Sequence, residues 1–245
     1  MNSFSQFKEN LLRMRADLDA SCLASGRETD SIKILPVTKR QPLEAVEFSE
    51  RVGFASVGEN VVQEAKGKHD IFNGTMGWEL IGHLQSNKAR LAVEIFDRIQ
   101  TVDSPKILQR VDRFAGELGN PQRILLQVNT SQDPAKHGID PTEIDALVEA
   151  SLHADNVVLE GFMTIGLFST DPSVSTRTFT VLRELRDRLE DAFGQTFPEL
   201  SMGMSGDLES AVKAGSTMIR VGTALFGERP VRESPLDSRY TTFSH

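Results

Sequence analysis

The sequence predicts an α/β protein, a single (β/α)8 TIM-type barrel with an extra N-terminal helix. Three observations carry that expectation. Short β-branched apolar runs alternate about eight times with segments of helical period along the 245 residues. The links between them are short, as helical crossovers between parallel strands require. Eight such units in this length favour a closed barrel over an open doubly wound sheet. No low-complexity linker divides the chain, so residues 1–230 are read as one barrel and residues 231–245 as a polar, loose tail.

Each element has its own local reason. Phe4, Phe7, Leu11, Leu12, Met14, Leu18 and Leu23 recur at roughly helical spacing among charged residues, an amphipathic helix ended near Gly26. Residues 32–37 form an apolar run that reaches Lys39; Gln41 and Pro42 stop it, and a helix period starts at Leu43. Residues 54–58 read as the second strand and 61–69 as its helix. Residues 78–83 and 95–102 read as the third and fourth strands, with helices over 86–93 and 104–118. Ser104 and Pro105 make a good N-terminal capping pair. Residues 123–129 are the clearest strand, followed by a loop over 130–138 and a helix over 141–152. Strand 157–163, long helix 174–193, strand 200–203, short helix 207–214 and strand 218–222 complete the series.

Composition narrows the function classes. Apolar content of 39% with 25% charged residues is that of a soluble globular protein. A formal charge of −8 argues against nucleic acid or an anionic membrane as the main partner. Cys22 is the single cysteine, so no intrachain disulfide can form. The N-terminus has no apolar core of signal-peptide length and no run approaches a membrane span, so the chain is read as cytoplasmic. His69, His83, His137, His153 and His245 show no metal-ligand spacing with Cys22 or with one another, and no metal is expected. His83 alone falls at a strand end, where it either lines a pocket or caps and packs. The turn-rich segment from Asp133 to Gly138 either folds over the site or simply connects. Glu184 with Arg188, and Arg183 with Asp187, read as i,i+4 pairs on a solvated helix face.

Barrel active sites are built just past the C-terminal ends of the strands. That rule collects Lys39, Asn60, His83, Asn129, Met163, Thr164, Ser205, Gly222 and Thr223. Apolar surroundings lower the pKa of an amine and free its lone pair, so Lys39 is a candidate imine-forming lysine. The plain alternative is a strand ending in a solvated Lys-Arg pair. Small hydroxyl residues lie at Ser205 and Thr223, after the seventh and eighth strands, where this fold often holds phosphate on backbone N–H groups. Such residues also make ordinary turns. An imine-forming lysine facing a phosphate cradle is the requirement of pyridoxal phosphate. Arg220 shares a strand face with Gly222. It either reaches the pyridine nitrogen and keeps it unprotonated, or forms a salt bridge at the strand end.

Six ordered motifs carry a family resemblance: Val37-Thr38-Lys39, Gly58-Glu59-Asn60, Gly82-His83-Leu84-Gln85-Ser86-Asn87-Lys88, Gly161-Phe162-Met163-Thr164-Ile165, Gly203-Met204-Ser205 and the run from Arg220 to Gly227. Together they resemble the pyridoxal phosphate homeostasis protein family, whose members are similar to the N-terminal barrel of alanine racemase. The match holds register from about residue 32 to residue 227. The resemblance implies a fold-type III barrel with Lys39 as the Schiff-base lysine and phosphate contacts from Ser205, Gly222 and Thr223. It implies Arg220 at the ring nitrogen and Asn60 beside the ring; Met163 is taken with them as a cofactor contact. It further implies a protein of vitamin B6 homeostasis that buffers pyridoxal 5'-phosphate (PLP) or delivers it to apo-enzymes, with no strong catalysis; the chain is expected to be a monomer.

The alternative is a racemase or decarboxylase of the same fold. A racemase needs a second base on the opposite ring face, typically a tyrosine from an additional domain of the partner subunit. The single tyrosine is Tyr240, in the tail, and no β domain follows the barrel. A cofactor-free barrel enzyme using Lys39 is a third, remoter reading. Two departures from the family pattern stand out: Arg40-Gln41-Pro42 where many relatives have Thr-Lys-Pro, and Gly206 where a larger or acidic residue is common.

Overall fold

A cap and an apolar stripe set the first element. In the computed structural model, which describes residues 2–131, 133, 135–166 and 171–227, Ser3 accepts a hydrogen bond from the Gln6 N–H and opens α1 (Phe4–Ala24). Phe7, Leu11, Met14 and Leu18 lie on one face and are buried. That face packs against α8 (Leu208–Ala214) and α9 (Thr223–Phe226), so the first helix closes over the last ones. Phe7 stacks on Phe226 with ring centroids 5.3 Å apart, and Asn10 donates to the Leu225 carbonyl at 3.0 Å.

The eight expected strands form one parallel sheet: β1 (Lys33–Pro36), β2 (Ser56–Glu59), β3 (Gly77–Leu80), β4 (Arg98–Val102), β5 (Gln122–Gln127), β6 (Val157–Met163), β7 (Glu199–Ser201) and β8 (Met218–Val221). Their order is β1-β8-β7-β6-β5-β4-β3-β2. A bridge between Val37 and Gly58, with the Thr38 N–H donating to the Gly58 carbonyl at 3.0 Å, joins β1 to β2 and brings the ring together. The crossover helices are α2 (Glu44–Arg51), α3 (Val62–His69), α4 (Ala89–Ile95), α5 (Pro105–Leu118), α6 (Ile144–Leu152) and α7 (Pro172–Phe193), with α8 completing the ring.

Several boundaries differ from the sequence reading. Ile95 ends α4 instead of opening a strand, because its side chain is buried beside Ala89 and Ala92 on the inner face of that helix. Residues 141–143 form a turn before α6, where the Asp140 carboxylate accepts from both the N–H and the hydroxyl of Thr142. Arg188 turns outward to Asp145 of α6 instead of to Glu184, and Asp187 is met by Arg186 instead of Arg183. The tail expected from residue 231, with Tyr240, lies outside the described residues. Among the described residues no helix is long and apolar enough to cross a membrane.

Apolar side chains on the outer faces of the strands pack under the helices; Phe162 of β6 meets Phe197 edge-on at 5.3 Å. The inside of the ring is mixed. Leu35, Val37, Ile81 and Met218 form a small apolar cluster. Alongside it Arg98, buried from β4, donates to Glu79 at 2.8 and 3.0 Å and to Glu160 at 2.9 Å. Lys33 pairs with Glu199 at the N-terminal end of the barrel. Gly161 is required where β6 meets β7: its φ is +154°, and an added Cβ would lie 2.0 Å from the Glu199 carbonyl oxygen.

Candidate functional site

The turn that carries Lys39 is held from behind by buried charge. Thr38, fully buried, donates through its hydroxyl to Glu59 Oε1 at 2.7 Å. Lys68 Nζ of α3 donates to the Thr38 carbonyl at 2.7 Å, to Glu59 Oε1 at 2.6 Å and to Glu64 Oε1 at 2.9 Å. Glu64 also accepts the Arg40 N–H. Burial pushes the Glu59 carboxyl above the usual carboxylate range, against the pull of Lys68 and Thr38. Arg40 sits at φ +57°, a left-handed conformation that costs a non-glycine residue roughly 1–2 kcal/mol. Lys39, half-buried, is thus presented between a clamped threonine and a strained arginine.

Glu59 and Lys68 were missed from sequence, yet a signal existed. The buried face of α3 reads Val62, Ala65, Lys68, an i,i+3 stripe that ends on a charge. A lysine on an apolar stripe needs a buried partner, and Glu59 at the end of β2 is in position to be one.

The neighbouring strand ends are fixed by close backbone approach. Asn60 follows β2 and is half-buried. A Cβ on Gly82, just past β3, would lie 2.0 Å from the Asn60 carbonyl oxygen. Met163 ends β6 in full burial, level with Gln127 of β5 and Ser201 of β7. Thr164 donates to the Val128 carbonyl at 2.8 Å and shares a hydrogen bond with Thr130 at 2.9 Å, pinning the ends of β5 and β6 together. Asn129 donates to the carbonyls of Asp133 and Lys136 in the loop that follows it.

Across the ring, β7 and β8 supply the hydroxyl and backbone groups. Gly203, at φ +97° with no room for a Cβ beside Ala211, turns the chain into Ser205–Asp207, a single 3-10 turn capped by the Asp207 carboxylate on the Met204 N–H. Ser205 is exposed there. Gly222 precedes α9, and the Thr223 and Ala224 N–H groups belong to a first turn that has no earlier helical carbonyl to bond. Gly222 lies against the strand that delivers Lys39, since an added Cβ would sit 3.5 Å from the Val37 carbonyl oxygen. Arg220 is buried between the two sides. Its Nη1 donates to the carbonyl and hydroxyl of Ser201 at 2.7 and 2.9 Å, and Nη2 to the Thr164 carbonyl at 2.9 Å. Burial pushes Arg220 down to about 10, so it remains cationic at neutral pH. The salt bridge considered for it is replaced by this set of neutral acceptors. Lys39, Asn60, Met163, Ser205, Arg220, Gly222 and Thr223 all stand at the C-terminal end of the ring.

A cleft of about 1160 Å³ walled by α1, α7 and α8 reaches Ser205, Gly206 and Asp207 from the outer side. His83, at the end of β3, neither caps a helix nor packs in the core; its ring lies on that of His137.

The family model described as alanine racemase, N-terminal domain, matches residues 9–230. A pyridoxal phosphate homeostasis protein of Vibrio cholerae is 37% identical over 227 residues, covering 91% of this chain and 96% of the relative. The chain belongs to the pyridoxal phosphate homeostasis protein family. PipY of Synechococcus elongatus, solved with PLP bound, aligns at a TM-score of 0.77 and 37% identity, covering 87% of this chain and all of that one (100%). An alanine racemase of Clostridium difficile aligns at a TM-score of 0.76 and 16% identity over 95% of this chain and 59% of the racemase, which shows the shared barrel fold. The homeostasis-family motifs quoted from the sequence therefore sit at the strand ends of a racemase-type barrel.

Proposed function

We propose that this chain binds PLP at the C-terminal mouth of its barrel and serves in PLP homeostasis, buffering the cofactor or handing it to apo-enzymes. The observation that carries the reading is one juxtaposition: a lysine on a clamped turn beside the hydroxyl and backbone donors of β7 and β8, with a buried guanidinium between them. When bound, PLP supplies an aldehyde able to condense with an amine, together with a phosphate and a pyridine ring. The residues fit those three groups. Lys39 offers the amine. Ser205, Gly222 and Thr223 offer the hydroxyl and N–H donors for phosphate, and bare Gly222 lets the backbone come close. Asn60 and Met163 would lie beside the ring, and Arg220 would be the donor for its nitrogen. A guanidinium gives up no proton at neutral pH, so the ring is held without the carboxylate that strengthens it as an electron sink.

A carrier that is no strong catalyst is the favoured role, supported by relatives named as homeostasis proteins and by PipY with PLP bound. The acidic composition supports a protein whose main partner is neither nucleic acid nor an anionic membrane, and a cytoplasmic monomer is the form proposed. The test is the mass of the purified protein after borohydride reduction, for wild type and Lys39→Ala. A pyridoxyl adduct mapped to Lys39 and lost in the variant is the expected result. No adduct after incubation with PLP would overturn the reading in favour of a cofactor-free barrel enzyme. Turnover assays with amino acids then separate carrier from racemase or decarboxylase.

A further inference from the structure

His83, Asp103 and His137 reach one place from three strand ends, those of β3, β4 and β5. One ligand atom from each lies within 4.8 Å of the others. His83 Nδ1 is 3.4 Å from Asp103 Oδ2, and the two imidazole rings stack with centroids 3.8 Å apart and planes 9° from parallel. The histidines are exposed and Asp103 is half-buried, so an ion in solution can reach all three.

The placement is built. Ser104 donates to Asp103 Oδ1 at 3.3 Å, on the oxygen opposite the one near His83. The His137 carbonyl accepts from the Gln127 side chain at 3.0 Å, and the Val128–Ile139 bridge continues the β5 side of the loop. His137 is therefore tied to the end of β5 through its own carbonyl and through Ile139, two residues on. By contrast, His69 packs edge-on against Trp78 and His153 bonds back to the Glu149 carbonyl.

Two imidazole nitrogens and one carboxylate oxygen are the donor set of a divalent transition metal with open coordination positions. Tetrahedral bonds of about 2.0–2.1 Å place donors roughly 3.3 Å apart, and imidazole lone pairs lie in the ring planes, so closing on one ion takes shifts on the order of 1 Å together with rotation of the two rings out of their stack. We propose that His83, Asp103 and His137 bind a zinc-class divalent cation, with water completing its shell, and that the ion ties the loop after β5 to β3 and β4 across the barrel rim. The ligands are 20 and 34 residues apart in sequence, which no short-spacing motif captures. The proposal does not depend on the PLP reading.

The experiment is calorimetric titration of full-length, tag-free, chelator-treated protein with zinc sulfate. One equivalent is expected to bind, with affinity at least tenfold weaker in His83→Gln and in His137→Ala and unchanged in His153→Ala. His137 lies on an exposed loop, so its variant tests the ligand without disturbing the barrel. No binding by the wild type would overturn the site, as would equal affinity in wild type and His137→Ala. Amide exchange across residues 135–139 is expected to slow on adding zinc; unchanged exchange would overturn the tie between loop and strands.

Discussion

Arg220 and Ser201, on adjacent strands, are joined twice: Nη1 donates to both the carbonyl and the hydroxyl of the serine. The hydroxyl passes its own proton to Gln100 Oε1 at 2.6 Å, Gln100 donates to Glu79 Oε2 at 2.6 Å, and Glu79 accepts from Arg98. A string of hydrogen bonds thus descends the barrel interior from the mouth to the N-terminal end. In such a low-dielectric channel each satisfied bond fixes the next. The guanidinium at the mouth is thus coupled to residues that reach down to the N-terminal end of the ring.

Ser201→Ala cuts that string just below the guanidinium. Arg220 loses one acceptor and Gln100 Oε1 loses its donor, both in buried positions. Losing a buried polar partner costs about 1–3 kcal/mol. Urea unfolding should show that loss as a lower midpoint at unchanged slope. A midpoint equal to wild type would mean that the string carries no stability.

Lys68→Met should be more damaging. It leaves Glu59, fully buried, without its cation, and breaking a buried pair in this way costs about 3–5 kcal/mol. The double variant Glu59→Gln with Lys68→Met removes both charges and should recover much of the loss. Since the same ammonium holds the Thr38 carbonyl, amide exchange in the Lys39 turn should quicken in the single variant. Equal instability of single and double variants would count against the uncompensated charge as the cause.

Glu160 gives the barrel an acid-labile contact. Burial opposes its ionisation, but hydrogen bonds from Arg123 and Arg98 outweigh that and hold its carboxyl below the usual carboxylate range. A depressed folded-state value means the folded state binds fewer protons than the unfolded one. Its stabilisation is therefore full above about pH 4.3, the unfolded value, and is lost as pH falls through the folded value. Glu59 has the opposite sign: its stabilisation is full below the unfolded value and is lost as pH rises through its raised folded value. Glu160→Gln should lower stability at neutral pH and flatten the loss below pH ~4.3, read from urea midpoints at a series of pH values. A slope as steep as wild type would assign the acid lability to other carboxylates.

The strand-end placement of Lys39, Ser205 and Thr223 was legible because each follows a run readable as a strand, and the barrel rule then names the position after the strand as a candidate site. The pair Ser104 and Pro105 opened α5 as expected, with the serine accepting from the Ile107 N–H. The interior polar string was harder to read. Glu79, Arg98 and Gln100 alternate with apolar neighbours at period 2, a pattern that single-sequence reasoning assigns to a solvated face. In a closed ring that face is the inside. The pairing of His83 with His137 escaped for a related reason, since only the sheet, with β4 between them, brings the ends of β3 and β5 together.

The N-terminal helix is the last element to test, because it lies behind α9 and not at the mouth itself. Phe7 is fully buried among Phe4, Phe48 and Phe226, with Phe226 the last residue of α9. Truncating a buried phenylalanine costs about 3–5 kcal/mol through lost transfer energy and the cavity left behind. Phe7→Ala should therefore lower stability by that amount. It should also weaken PLP binding, since α9 begins with Thr223 and is braced by this contact. Leu12→Ala, on the same helix but 67% exposed, should stay within about 0.5 kcal/mol of wild type. Denaturation curves read stability and a PLP titration reads affinity. If Phe7→Ala lost stability but kept full affinity, α1 would brace the barrel as a whole without bracing the first turn of α9.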